Sequence, residues 1–414
     1  MKICIINFLD LKYPGGNTVS CKILAKSLKK RGYDVFVITT GPKGSKSVSE
    51  EIQYGIKVYR FYPFGTWIPQ YTRKVSNVGR IFTFLSNFWN PHTYLVVKKI
   101  LKKENPDIVN IHEVPYLSLS VYSAAKSLNL PIVSTIHSVI LLYPFNNLPY
   151  LDKIAGIKYP FIKDNYKIYE IISKIYEKIN KIIINSPDCV TFVSKAIMGV
   201  YSQYTFFKHS KKTVFPNIFE IDEIELKKEN TNKKIFNIIY AGGLAKIKGG
   251  HTLIKAFRKI NNENIRLHIF GSGEYAEYFK KLAEGDKRII FHGQLPNEEL
   301  QKFYEISDIA VMPSQCLETF GRIIIESFCV GVPVIGSNVG AIPELIHEGY
   351  NGFLFEPGNA EQLKEILEYA ILNQDKLKKM RENCINTAKK YSVENNIYKL
   401  EEIYKEAIKL NQRR

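Results

Sequence analysis

Six cysteines are spread over 414 residues, at Cys4, Cys21, Cys189, Cys316, Cys329 and Cys384, and none forms a Cys-x-x-Cys pair. That scatter argues against a disulfide framework or a zinc-binding module, and the thiols are expected to be reduced, as in the cytoplasm. No stretch approaches the ~18 consecutive apolar residues of a membrane span. The apolar opening Ile3-Cys4-Ile5-Ile6 is too short for a signal peptide and gives way to Pro14-Gly15-Gly16. The expectation is a cytoplasmic protein, at most peripheral on the inner face of the cell membrane. There is no low-complexity tract and no repeat of about 20–50 residues, which excludes solenoids and propellers. Acidic residues are in short supply, 40 against 58 Lys and Arg, for a net charge of +18. The shortage is local. Residues 1–220 hold 30 basic and 13 acidic side chains (+17), whereas the remainder holds 28 and 27 (+1). An anionic partner is therefore expected at the first half. No RRM, helix-turn-helix, KH or zinc-finger signature accompanies that charge, so nucleic acid is not an expected partner.

The length suits two domains of roughly 150–200 residues. A first βαβ unit is read from the strand Ile3–Phe8, the Gly-containing turn at 14–17, the helix Thr18–Arg31 and the strand Asp34–Thr39. Further strands are expected at Ile108–Ile111, Ile132–Ile136 and Cys189–Val193. The first two run into His112 and His137. A polar stretch, Glu220–Lys234, has linker composition. A second series follows at Asn237–Gly242, Arg266–Phe270, Ile289–Phe291, Ile309–Pro313 and Val332–Ser337, and from Ala360 onward the chain reads as helix. Strands alternating with helices predict α/β architecture: two Rossmann-like, doubly wound parallel-sheet domains facing across a cleft. Ligands in such sheets gather beyond the carboxyl ends of the strands.

Three turns carry chemistry. Glu318-Thr319-Phe320-Gly321-Arg322-Ile323-Ile324-Ile325-Glu326 follows a strand and opens a helix, whose first N–H groups suit phosphate. Glu318 lies just outside that helix and Glu326 about one turn inside, so two carboxylates flank the phosphate position and could hold a hexose and a ribose. Each also has a plain structural reading, as a loop residue and a solvated helix face. Gly242-Gly243-Leu244-Ala245-Lys246-Ile247-Lys248-Gly249-Gly250 is a second strand-to-helix turn, with two lysines able to meet phosphate. Gly271-Ser272-Gly273 is a third, fit for close backbone approach.

Together these residues resemble the donor-binding core of family-4 retaining glycosyltransferases of GT-B architecture. The marks are Glu318-x-Phe320-Gly321-(x)4-Glu326, Gly331-x-Pro333, Gly340-Ala341-Ile342-Pro343-Glu344, Asn351-Gly352, the lysine loop, Gly271-x-Gly273, Pro216-Asn217, Gly15-Gly16 and Thr135-Ile136-His137. The resemblance implies catalytic roles for His137, Glu318 and Lys248. Glu318 would bind donor-sugar hydroxyls, Lys248 would neutralise the departing diphosphate, and His137 would face the sugar across the cleft. Donor binding would fall to Gly15, Gly16, Gly243, Lys248, Gly271, Gly273, Phe320, Gly321, Arg322, Ile323 and Glu326. The co-substrate would be a UDP- or GDP-linked sugar, with no other cofactor. No metal is expected, which agrees with the lack of any Asp-x-Asp in the sequence. The acceptor domain would span 1–218 plus a returning helix at about 395–414, and the donor domain 219–394.

The implied activity is hexose transfer, with retention, to a glycan or lipid-linked acceptor in cell-surface polysaccharide or glycolipid synthesis. A nucleotide-sugar 2-epimerase of the same fold and a non-catalytic sugar-nucleotide-binding subunit are the alternatives. One departure bears on the choice: the family has Arg where this chain has Gly243, so one phosphate cation is missing. Finally, Val78–Lys103 reads as apolar and aromatic residues followed by lysines, which would suit an anionic membrane surface. Solvated lysines on helix faces would give the same pattern.

Overall fold

A computed structural model describes the chain except at residues 14, 43–47, 67, 69–82, 84, 143–165, 185, 205, 222–234 and 414. Most of the linker noted above, and residues 78–82 and 84 of the Val78–Lys103 stretch, lie outside the described residues. The chain divides into two compact units. Met1–Asn147, Ile162–Glu220 and Val393–Arg414 build the first, and Ile221–Ser392 builds the second.

The first unit centres on an eight-stranded sheet of β1 (Lys2–Ile6), β2 (Asp34–Thr40), β3 (Ser49–Gln53), β4 (Ile56–Phe61), β5 (Ile108–Ile111), β6 (Ile132–Ile136), β7 (Cys189–Phe192) and β8 (Lys211–Val214). The order is β3-β4-β2-β1-β5-β6-β7-β8. Every pairing is parallel except β3 with β4. Central strands such as Ile3-Cys4-Ile5-Ile6 are buried along their whole length, because helices cover both faces of a parallel sheet. The antiparallel hairpin departs from the all-parallel expectation. Tyr54 and Gly55 at its tip have φ of 51° and 73°, the geometry of a two-residue hairpin turn that matches strand twist. The helix Gly16–Lys30 presses Ile23, Leu24 and Leu28 onto the sheet. In the same core lie Leu400, Tyr404 and Ala407 of the helix Val393–Gln412, and Asn110 on β5 donates to the Tyr404 hydroxyl at 2.8 Å.

The second unit holds a six-stranded sheet of β9 (Phe236–Ala241), β10 (Ile265–Phe270), β11 (Ile289–Gly293), β12 (Ile309–Met312), β13 (Val334–Ser337) and β14 (Gly352–Phe355), in the order β11-β10-β9-β12-β13-β14 and wholly parallel. In each sheet the winding reverses beside the first strand: between β1 and β5, and between β9 and β12. Loops leaving neighbouring strands at such a point diverge and open a crevice. No helix among the described residues is long and apolar enough to cross a membrane.

Candidate active site

In the second unit, the lysine loop leaves β9 and the Glu318 loop leaves β12, so the two flank the reversal point. Backbone bonds sew them together. Leu244 N donates to Ser272 O at 3.0 Å, Tyr275 N to Leu244 O at 2.9 Å, and Gln315 N to Ile247 O at 2.8 Å. Two glycines are demanded by these approaches. A Cβ at Gly249 (φ 72°) would lie 1.7 Å from the Pro313 carbonyl oxygen, and one at Gly271 (φ 126°) would lie 1.9 Å from that of Gly242. Gly273, Gly242 and Ile323 join the same cluster. Gly243 differs: it is exposed, and a Cβ there meets nothing within 4 Å.

Lys246–Lys248 forms a single 3-10 turn that aims Lys248 at the Glu318 loop. Lys248 Nζ lies 2.6 Å from Glu318 Oε1, and Ser314 Oγ donates to the same oxygen at 2.5 Å. Burial opposes the charge on Lys248, yet Glu318 and the nearby Cys316 outweigh it and hold the ammonium above its ordinary value. The cation is thus fixed beside a carboxylate that is itself anchored: Ala341 N donates to the Glu318 carbonyl at 2.8 Å. Ser314 was not singled out from sequence, although a hydroxyl just past the end of a buried strand is the available signal.

The helix Arg322–Cys329 starts at Gly321, and the N–H groups of Arg322 and Ile323 belong to its first turn. Glu326, one turn inside, accepts from Arg322 at 3.3 Å and is partly exposed. The Phe320 ring is buried, edge-on to Tyr391 at 5.8 Å, so its side chain packs the interior and its backbone is what the loop offers.

The first unit gathers the remaining candidates. Gly15 is extended and Gly16 begins the helix after β1. His137 follows β6 and is buried. His112, at the end of β5, meets it through a 2.8 Å contact between its Nδ1 and the Nε2 of His137, the rings stacked at 5.1 Å. Cys21 brings its sulfur to the same cluster, all three ligand-type atoms falling within 4.8 Å of one another. Burial and the neighbouring ring hold His112 well below its ordinary pKa, so it is a neutral partner to His137. The sequence shows His112 only as a polar residue at a strand end, and its contact with His137 exists only in the fold. Glu113, next along the chain, accepts from Asn17 Nδ2 of the Gly15-Gly16 turn at 3.4 Å.

Residues 14–223 match Glycosyltransferase Family 4, and residues 221–391 match Glycosyl transferases group 1. N-acetyl-alpha-D-glucosaminyl L-malate synthase of Bacillus anthracis is 25% identical over 395 residues, which cover 90% of each chain. Among solved structures, sucrose-phosphate synthase of Thermosynechococcus elongatus aligns over 98% of both chains with a TM-score of 0.75 and 19% identity. Anabaena HepE, crystallised with UDP-glucose, aligns over 97% of this chain and 99% of its own with a TM-score of 0.69 and 19% identity.

Proposed function

The chain belongs to Glycosyltransferase Family 4 and has the GT-B fold, and on that footing we propose that it moves a hexose from a UDP- or GDP-linked donor to a glycan or lipid-linked acceptor. The transfer would retain anomeric configuration, require no metal and serve cell-surface polysaccharide or glycolipid synthesis. The observation that carries this reading is the Lys248–Glu318–Ser314 cluster, at 2.6 and 2.5 Å, beside the N-terminus of the helix Arg322–Cys329. A cation and helix N–H groups suit a diphosphate, and an anchored carboxylate suits sugar hydroxyls.

In the proposed chemistry the bond from the anomeric carbon to the diphosphate oxygen breaks, and the acceptor oxygen bonds to the same face. The acceptor's proton passes to the departing diphosphate. Lys248 and the N–H groups of Arg322 and Ile323 stabilise the charge that develops there. Gly271 and Gly273 let the backbone come close, and Glu326 holds the ribose. In the first unit, His137 is assigned a catalytic role, its ring oriented by His112, and Gly15 and Gly16 a donor-binding role.

The membrane surface enters as part of the same reading. Phe64, Leu85, Trp89 and Leu95 are 82%, 55%, 46% and 64% exposed. They precede or share the helix Pro91–Glu104 with its run of lysines, a combination that suits a peripheral protein on an anionic inner leaflet.

A thermal-shift screen against UDP- and GDP-linked sugars tests the donor. A ligand at about 100 times its Kd adds about 2.7 kcal/mol of stability. Transfer assayed with EDTA present, with NMR assignment of the product anomer, then tests metal independence and retention. A panel in which no nucleotide sugar shifts the melting temperature contradicts the reading.

A further inference from the structure

Cys21, His112 and His137 come from three elements of the first unit, the helix Gly16–Lys30 and the ends of β5 and β6, yet their ligand-type atoms all fall within 4.8 Å of one another. We propose that they form a Zn²⁺ site, and that the cation switches transfer off by occupying His137. Uptake of the cation stands by itself, and the switching-off rests on the transferase reading above. Because each ligand lies on a different element, the scattered cysteines of the sequence gave no sign of the site.

One sulfur and two imidazole nitrogens are the donor set of a borderline-soft cation. Mg²⁺ and Ca²⁺ take oxygen ligands, and none of the three residues is a carboxylate. Zn–N bonds of about 2.0 Å and Zn–S bonds of about 2.3 Å set tetrahedral ligand atoms about 3.3–3.7 Å apart. The ring nitrogens that meet at 2.8 Å therefore separate by about 0.5 Å to admit the ion, a matter of side-chain rotation. The backbone beneath is already fixed. Thr135 Oγ1 donates to Asn110 Oδ1 at 2.9 Å between β6 and β5, and His112 N donates to the Ile6 carbonyl at 2.9 Å. Cys21 Sγ donates only to Asn17 Oδ1, at 3.4 Å, and a thiol is a weak donor that a metal outcompetes.

Two further observations point to a ligand. His112 Nε2 is buried and has no hydrogen-bond partner among the described residues, although buried polar atoms are nearly always paired. A neutral ring with one uncommitted nitrogen can give a lone pair to a cation and keep its proton on the other nitrogen. Beside the pair lies a cavity of about 20 Å³, lined by both histidines, which is room for one water. That water would complete four-coordination around three protein ligands. Binding expels one proton, from the Cys21 thiol, while each imidazole retains its own. With the cation in place, His137 is withheld from the catalytic role assigned to it.

The test uses the tag-free full chain, stripped of metal and kept reduced. Co²⁺, a spectroscopic substitute, should bind at one equivalent with a thiolate charge-transfer band and the intense visible absorption of a four-coordinate ion, and Zn²⁺ should displace it. Cys21→Ser, which keeps a donor for Asn17, should lose that band. It should also weaken Zn²⁺ binding by at least about 100-fold, since even an outer-shell partner of a ligand is worth about 10–100-fold. Zn²⁺ should inhibit wild-type transfer, EDTA should restore it, and Cys21→Ser should turn over like wild type and resist Zn²⁺. If Cys21→Ser melts early, X-ray absorption at the zinc edge of the wild type decides. One sulfur at about 2.3 Å with nitrogens at about 2.0 Å upholds the site, and a shell without sulfur overturns it. No uptake of either ion by the wild type overturns the proposal, as does a charge-transfer band that Cys21→Ser leaves unchanged. Binding that leaves transfer unimpaired overturns the switch. Binding in a protein that transfers nothing upholds the site and overturns only the transferase reading.

Discussion

Gly243 is where this chain leaves its family's pattern, and the geometry there is permissive. Nothing within 4 Å would oppose a side chain, and the residue is not among the left-handed glycines. Gly243→Arg is therefore expected to fold with an unchanged melting temperature. By calorimetric titration with UDP it should bind about 10-fold more tightly, the worth of one added charged contact. Unchanged affinity would mean that Lys248 already meets the diphosphate's need. Glu113 makes the opposite point, that a buried carboxyl can lower stability. Its carboxyl shifts from 4.5 to about 6, so the fold favours the protonated form. That contribution is present below about pH 4.5 and is lost as the pH climbs through 6, lowering stability by about 2 kcal/mol. The groups around it are Asn17, Ser138 and His112, and the titration of His112 is common to wild type and variant. Glu113→Gln should accordingly be more stable than wild type by about 2 kcal/mol at neutral pH and equal to it near pH 4, by denaturant unfolding. Equal stability at both would show that the carboxyl is not desolvated.

At the scale of elements, the helix Val393–Gln412 is held to the first unit by Leu400 and Tyr404, both at most 1% exposed. Leu400→Ala is expected to cost about 2–5 kcal/mol by denaturant unfolding. A change under about 1 kcal/mol would mean that the helix is not part of that core. The elements also show what sequence can and cannot carry. Buried central strands such as β1, β5 and β9 are continuous apolar runs and were legible, each to within two residues. The strands β3 and β8 were not, because Ser-Glu-Glu-Ile-Gln and Lys-Lys-Thr-Val are polar edge strands whose pairing depends on the neighbouring strand. The short strand β14 was missed as well, hidden between a glycine turn and a helix. The same division runs through the site. The Glu318 and Lys248 motifs could be read as spaced letters. The convergence of Ser314 on Glu318, of His112 on His137 and of Asn17 on Glu113 joins residues from separate loops and exists only once the sheets form.

For the molecule as a whole, the +18 charge resolves into a +17 stretch and a +1 stretch, and the Lys248–Glu318 cluster lies in the nearly neutral one. A few placed groups rather than a general positive field would then meet the donor, and the basic excess is left for the acceptor side. Sedimentation with anionic vesicles should show binding at low salt that falls away as screening rises, given a Debye length of about 10 Å at 0.1 M. Absence of binding at low salt would contradict the membrane part of the proposal. The most direct measurement concerns Lys248. With the nucleotide sugar identified by thermal shift, transfer rates of wild type and Lys248→Ala should differ by about 100-fold or more in kcat, with the variant's melting temperature maintained. Full turnover by Lys248→Ala would contradict the assignment of leaving-group stabilisation to the cation at the β9–β12 reversal point.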